Sequence, residues 1–231
     1  MSEKGLKALR LPVYRLLDPA VQWLVRHRVH PNVISSFGFG VTLVAGLLYH
    51  QDRVRLAGIF VLLGGILDIF DGRVARESGL ASKFGSFYDS TLDRISEIVV
   101  FLGIASLYNT IRPGAADVTM VYVVFLAMGG SLMVSYTRAR AEGLGLDCNV
   151  GFMQRAERVV LLGLGSLVFG LAWNGLVLSI IIVIVAVATN LTAVQRIIWV
   201  YKHATRVPLD DGPSGRSPSS EGKGGSVDGQ E

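Results

Sequence analysis

Four aspartates interrupt an otherwise apolar region in the order Asp68-x2-Asp71-Gly72-x2-Ala75-Arg76-x8-Gly85-x3-Asp89-x3-Asp93. The run LAGIFVLLGGIL precedes them and IVVFLGIASLY follows. A carboxylate inside a bilayer segment costs a few kcal/mol, and such residues usually mark function. Asp68 and Asp71 sit three apart and Asp89 and Asp93 four apart, so each pair shares one face of a helix. Antiparallel helices joined by the short loop between them bring the pairs together, and the small residues Gly72, Ala75 and Gly85 allow close backbone approach. Carboxylates without matching cations cannot all stay ionised in a low dielectric, and a divalent cation resolves that conflict. Oxygen-only ligands point to Mg²⁺ or Mn²⁺, with Ca²⁺ open. The cluster has no Cys or His, which argues against zinc. Four carboxylates can also hold two ions, an arrangement used for in-line phosphoryl displacement. Two other readings compete. The acids could be helix-end charges paired with Arg73, Arg76 and Arg94, or they could pass cations or protons in a transporter. Against transport, they cluster at one face, and the remaining spans carry no acid that would complete a path.

The elements that must position these residues are membrane helices. Of 231 residues, 51% are hydrophobic, and the mean hydropathy of +0.48 is too high for an ordinary soluble domain. Clear apolar runs cover Val33–Tyr49, Val118–Tyr136, Val159–Gly175 and Leu176–Val194, and two more, Leu56–Arg76 and Gly85–Tyr108, are broken by the acids. The fold class is therefore all-α, a polytopic membrane protein with six transmembrane helices. The last two clear runs abut, so Asn174-Gly175 must supply a tight turn. Basic residues gather at the N-terminal segment (Lys4, Lys7, Arg10, Arg15), between the second and third spans, between the fourth and fifth, and after the sixth. The opposite side has only Arg53, Arg55 and Arg112 in its loops. The positive-inside rule then places both termini and the acid cluster on the cytoplasmic side of the cell membrane. The formal charge of +4 is a membrane signal and not a nucleic-acid footprint.

Leu6 to Val29 read as an amphipathic helix, with Leu9, Val13, Leu16, Leu17, Val21 and Leu24 interleaved with basic residues. Such a helix lies in the headgroup layer of anionic lipid or packs on the bundle, and the two are compatible. His30-Pro31-Asn32 ends it. No cleavable signal peptide is apparent. From about Val207 the chain is rich in Gly, Ser and Pro and reads as disordered. The expected organisation is an N-terminal segment, 1–29, a membrane catalytic domain, 30–202, and a tail, 203–231. The single cysteine, Cys148, excludes an internal disulfide and reads as a bland loop residue.

The aspartate pattern resembles the signature of the CDP-alcohol phosphotransferase family, D-x2-D-G-x2-A-R-x8-G-x3-D-x3-D, and matches it at every fixed position. The resemblance covers about residues 30 to 200. It implies that Asp68, Asp71 and Asp89 are metal ligands, and that Asp93 is both a ligand and the base that deprotonates an acceptor hydroxyl. Gly72, Arg76 and Ser82 fall where the family contacts the CDP moiety, and Pro31, Asn32, Val33 and Ile34 resemble its other nucleotide-contacting segment. A homodimer is implied as well. The physics of the side chains agrees: Arg76 can offer a planar fork to phosphate, and Gly72 lets a nucleotide approach the backbone.

A second stretch, SYTRARAEGLGLDCNVGFMQRAERVVLL, joins the fourth and fifth spans. It carries Arg138, Arg140, Arg155 and Arg158 to the face that bears the acids, and Arg196 joins them from the end of the sixth span. Guanidinium groups bind phosphate bidentately, which suggests an acceptor alcohol that is itself phosphorylated. Ordinary positive-inside flanking is the alternative. The stretch resembles the branch that makes phosphatidylinositol phosphate or its archaeal ether-lipid equivalent, where the acceptor is inositol 1-phosphate. By that likeness Arg138, Arg140, Arg155 and Arg196 bind its phosphate. Arg138 stands where actinobacterial members tend to have lysine, and Ala156 where proline is usual. The reaction expected is transfer of a phosphatidyl-type group from a CDP-linked lipid such as CDP-diacylglycerol to a phosphorylated polyol, with release of CMP. Glycerol 3-phosphate is the second acceptor to consider, and serine or an amino alcohol the third.

Overall fold

The computed structural model describes residues 17–111 and 115–204 and is helical throughout. A short helix, α1 (17–26), leads into α2 (Pro31–His50), α3 (Val54–Glu77), α4 (Lys83–Ile111), α5 (Ala115–Glu142), α6 (Arg155–Phe169) and α7 (Leu176–Ala204). Three of these regions, Pro31–His50, Val118–Glu142 and Ala172–Ala204, are long and apolar enough to cross a membrane. Large apolar side chains such as Phe37, Leu47, Leu102, Leu126, Ile184 and Val187 stand exposed on the outside of the bundle. An outer surface of this kind suits lipid and would be a liability in water.

The bundle is held by α2 against α3 and α4, α3 against α6, and α5 against α7. Its core gathers Ala45, Tyr49, Phe101, Ile104, Leu178 and Ile182. Small residues set how closely the helices approach. A Cβ on Gly58 of α3 would lie 2.6 Å from the Gly163 carbonyl oxygen of α6, and one on Gly103 of α4 would strike the Gly46 backbone of α2. Such contacts let helix backbones touch where lipid offers no hydrophobic drive to associate.

The start of α2 follows the expected punctuation. Pro31 occupies the first turn, and the His30 ring nitrogen accepts the Asn32 N–H at 3.2 Å. Helix α1 ends at residue 26 and lies on the bundle, with Val21 packed against Ile34 and Val74 and with Asp18 ion-paired to Arg73 at 2.6 Å. The rest of the expected amphipathic segment, 6–16, and the tail from Val207 lie outside the described residues, as does Arg112.

One expected span is shorter than its apolar run. Val159–Gly175 reads as one helix, but α6 ends at Phe169. Gly170 takes a positive φ of 53°, and a single 3-10 turn follows over Ala172–Gly175. In that turn Trp173, Asn174 and Gly175 all have positive φ, so the tight turn expected at Asn174-Gly175 is present but begins earlier. Apolar composition alone did not mark the stop. At about 1.5 Å per residue, α6 reaches only about 22 Å.

Candidate active site

The ends of α3 and α4 carry the acids. Asp68 and Asp71 lie in the second half of α3, and Asp89 and Asp93 in the first half of α4. The loop between them is short because Ser82 starts α4 sharply: its hydroxyl accepts the Gly85 N–H at 3.0 Å. Antiparallel descent and return then bring carboxylate oxygens of Asp68, Asp71 and Asp89 within 4.8 Å of one another. Asp71 is buried, and its Oδ2 has no hydrogen-bond partner among the described residues. An unpartnered buried carboxylate oxygen beside two further carboxylates is a poor arrangement for protein alone. It fits a hard divalent cation with oxygen ligands.

Asp93 stands beside this trio and is tied to a basic residue. Arg155, the first residue of α6, donates from Nη1 to Asp68 Oδ2 at 2.7 Å and from Nη2 to Asp93 Oδ1 at 2.6 Å. One guanidinium thus spans both helices of the acid cluster. The competing reading, in which Arg73, Arg76 and Arg94 neutralise the four aspartates, does not describe this arrangement. Arg73 pairs with Asp18 and Glu77, and among the described residues the ion pairs to the four acids come from Arg155.

Two cavities meet at the acids. The larger, about 670 Å³, is lined by Asp68, Asp71, Asp89 and Asp93 on one side and by Arg138, Arg155 and Arg196 on the other. The smaller, about 220 Å³, is lined by Pro31, Asn32, Gly72, Arg76, Ser82 and Gly85, with Asp71 and Asp89 at its wall. Gly72 and Arg76 line both cavities. A Cβ on Gly72 would meet only the Arg76 guanidinium, at 3.5 Å, so the residue leaves open space beside the acids and is not tightly packed.

The expected nucleotide segment divides. Pro31 and Asn32 face the smaller cavity, whereas Ile34 is buried against Val21 and Val74 and Val33 is exposed, and neither lines either of these two cavities. The hydroxyl of Ser82 serves as the cap of α4 while the residue lines the cavity. Among the expected acceptor arginines, Arg138 lines the larger cavity and pairs with Glu142 at 2.8 Å. Arg196 also lines it but is buried, and gives two of its donors to the carbonyls of Val150 and Val134. Arg140 is exposed and lines neither cavity.

Glu97 escaped the reading of the sequence, and Arg158 entered it only as one of the basic residues on the acid-bearing face. They form a buried ion pair, Arg158 Nε to Glu97 Oε1 at 2.7 Å, directly behind the Asp93–Arg155 pair. Glu97 could have been found, since it continues the Asp89, Asp93 stripe by one further step of four inside an apolar run.

Residues 28–207 match the family described as CDP-alcohol phosphatidyltransferase. The archaetidylinositol phosphate synthase of Methanothermobacter thermautotrophicus is 33% identical over 202 residues, covering 87% of this chain and 97% of that one. The fold is similar to a crystal structure of Mycobacterium tuberculosis phosphatidylinositol phosphate synthase with CDP-DAG bound, with a TM-score of 0.72, 29% identity, and coverage of 81% of this chain and 94% of that one. It is equally similar to the same enzyme in complex with manganese and citrate, with a TM-score of 0.72, 30% identity, and coverage of 79% and 88%.

Proposed function

The chain belongs to the CDP-alcohol phosphatidyltransferase family, and from that premise we propose that it transfers a phosphatidyl group from CDP-diacylglycerol to a hydroxyl of inositol 1-phosphate, with release of CMP. The observation that carries this reading is the junction of two cavities at one acid cluster, with guanidinium groups on the far wall of the larger. The donor's nucleotide fits the smaller cavity, where Asn32, Gly72 and Arg76 face it. Its diphosphate then lies at the acids shared by both cavities. The phosphorylated acceptor enters the larger cavity and meets Arg138 and Arg155, with Arg196 behind them. The phosphatidylinositol phosphate synthase and archaetidylinositol phosphate synthase relatives support inositol phosphate over glycerol 3-phosphate.

Asp68, Asp71 and Asp89 would hold divalent metal, and the manganese complex of the M. tuberculosis enzyme supports that assignment. We take the ions to be Mg²⁺, with Mn²⁺ able to replace it, and their number to be two. Four carboxylates against the single paired guanidinium of Arg155 leave excess negative charge, to which the donor's diphosphate adds. When bound, such ions supply charge neutralisation to the diphosphate. The chain's own residues do the rest. Asp93 takes the proton of the acceptor hydroxyl as general base. That oxygen bonds to the lipid-side phosphorus in line, and the bond from this phosphorus to the bridging oxygen breaks, so that CMP leaves with the electron pair. Arg155 holds the Asp93 carboxylate in place and presents its charge to the acceptor's phosphate.

In the membrane we place α2 to α7 as six spans, with both termini and the acid cluster cytoplasmic, as the distribution of basic residues supports. The N-terminal segment 1–29 lies at the membrane surface, the catalytic core is 30–202, and 203–231 forms a tail. Two copies form a homodimer, by family likeness. The test is CMP release by the purified protein with CDP-diacylglycerol and Mg²⁺, comparing inositol 1-phosphate, glycerol 3-phosphate, inositol and serine. Release with inositol 1-phosphate alone is expected. Release with another acceptor refutes the pocket assignment, and release with none, including an ether-linked donor, refutes the reaction.

A further inference from the structure

Helix α4 presents Asp89, Asp93 and Glu97 at steps of four, a single stripe that runs from the acid cluster into the bundle. Helix α6 answers with Arg155 and Arg158, three apart on one face. The result is a ladder of two ion pairs, Asp93–Arg155 at 2.6 Å and Glu97–Arg158 at 2.7 Å. Asp93, Arg155 and Arg158 all line the larger cavity, but the second rung is the more enclosed. In the second, the Arg158 side chain is 2% exposed and that of Glu97 11%. The second rung is tied to two more elements. Ser131 of α5 donates to Glu97 Oε1 at 2.5 Å, and Arg158 Nη1 donates to the Met153 carbonyl, at 3.1 Å, in the loop that leads into α6. Helix α6 packs mainly on α3 and α7, so its register against α4 is set by this ladder and not by an extensive interface.

A buried ion pair gains little stability over an apolar pair of the same volume, and its best-attested use is to fix register. Sequence distance sharpens the point, because Arg155 must reach Asp68, 87 residues away, with a rigid fork. A rotation of α6 by a fraction of a turn would withdraw it. We propose that Glu97 and Arg158 are positioning residues for the acceptor half of the site: they lock the start of α6 so that Arg155 stands between the acids and the incoming phosphate. The proposal rests on the reading of the larger cavity as the acceptor site; Glu97 is not among the residues that line that cavity and acts through Arg155, while Arg158 stands at its wall and is held in register by Glu97.

The test is a double-mutant cycle between Glu97→Gln and Arg155→Ala in the full chain, with KM measured separately for CDP-diacylglycerol and for the phosphorylated acceptor that wild type uses. Glu97→Gln should raise the acceptor KM about tenfold, the equivalent of one lost charge-assisted contact. It should leave the CDP-diacylglycerol KM and Mn²⁺ binding by calorimetry within about twofold, and Glu97→Asp should recover part of the loss. In the Arg155→Ala background the same substitution should add nothing. Equal effects on both substrates, or an effect that persists without Arg155, would show a merely structural pair and overturn the proposal. Should Glu97→Gln fail to fold, as lost Mn²⁺ binding would reveal, Ser131→Ala removes one support of Glu97 more gently and is run through the same cycle with the same criteria. Wild type that turns over no phosphorylated acceptor refutes the functional reading itself, a result separate from any outcome of the cycle.

Discussion

Replacing Asp93 by Asn isolates the base from the ligands. The two side chains have nearly the same shape, so the space beside Arg155 stays filled. The ion pair of 2.6 Å to Arg155 is lost, but Arg155 keeps Asp68 at 2.7 Å and is not left as an uncompensated cation. The change in stability should therefore be about 1 kcal/mol or less, which moves the melting temperature of a chain this size by only about 2–4 °C. The trio within 4.8 Å, Asp68, Asp71 and Asp89, is untouched, so metal and donor binding should persist. What disappears is the proton acceptor. A positioned general base contributes about 10²–10⁴-fold, or about 2.7–5.4 kcal/mol in the barrier. The assay is CMP release under saturating substrates, with CDP-diacylglycerol and Mn²⁺ binding followed by calorimetry. The expected result is kcat lower by that factor with donor affinity within about threefold of wild type. Turnover within about tenfold of wild type would refute the base assignment. Loss of donor and Mn²⁺ binding in step with turnover would instead make Asp93 chiefly a ligand, against the geometry that sets it beside the trio.

Three further outcomes follow from the same geometry. Asp71→Asn should abolish tight Mn²⁺ binding in calorimetry, because it removes the buried oxygen that lacks a protein partner; chelation of wild type should stop CMP release, and added Mn²⁺ should restore it. Gly72→Val should fold, since a Cβ there meets only Arg76 at 3.5 Å, yet it should raise the KM for CDP-diacylglycerol by about tenfold or more with an unchanged melting curve. Gly58→Val should do the reverse, because its Cβ would lie 2.6 Å from backbone atoms of Gly163 and Leu167: thermal denaturation should show a loss of about 1–3 kcal/mol, with substrate KM values little changed in the protein that remains folded.

The acids were legible because their signal is local. Spacings of three and four put each aspartate pair on one helix face, and a short loop leaves antiparallel return as the simple solution. The glycines were legible as small residues at the cluster, but not their packing role: Gly72, expected to let helix backbones approach, instead leaves open space beside the acids. Contacts that depend on how α6 lies against α4 were not legible. The join of Arg155 to Asp68 and Asp93 is tertiary, and arginines at a span end look the same whether they face headgroups or a cavity. Arg140 and Arg155 carry equal weight in the sequence, but Arg140 lies on the exposed side of α5 while Arg155 spans the acids. Val33 and Ile34 line neither of the two cavities for a similar reason: consecutive helical residues point about 100° apart, so the side chains of a four-residue segment do not all face one way. The early end of α6 at Phe169 was hidden because Gly170 stops the helix through a positive φ while the apolar run continues past it.

Within one apolar bundle the chain treats its buried charges in two opposite ways. Among the described residues an acidic oxygen of Asp71 is shielded and left without a partner, and the ion pairs of the cluster reach Asp68 and Asp93 and not Asp89. At Glu97 the acid is matched at once by a guanidinium and a hydroxyl, while Arg158 gives Nη1 to a carbonyl and keeps Nη2 without a partner among the described residues. Asp89 and Glu97 lie on the same α4 stripe, so the contrast is not one of depth or solvent access alone. A carboxylate that must accept a divalent cation has to be left short of protein donors, because each donor already in place would compete for the lone pairs the ion needs. A carboxylate that must hold a helix in register has to be saturated, because an unmet charge in this setting would favour rearrangement. Asp93 lies between the two, tied to Arg155 yet open to the larger cavity, and that intermediate state is the one a base requires: oriented by a cation and still reachable by the hydroxyl it must deprotonate.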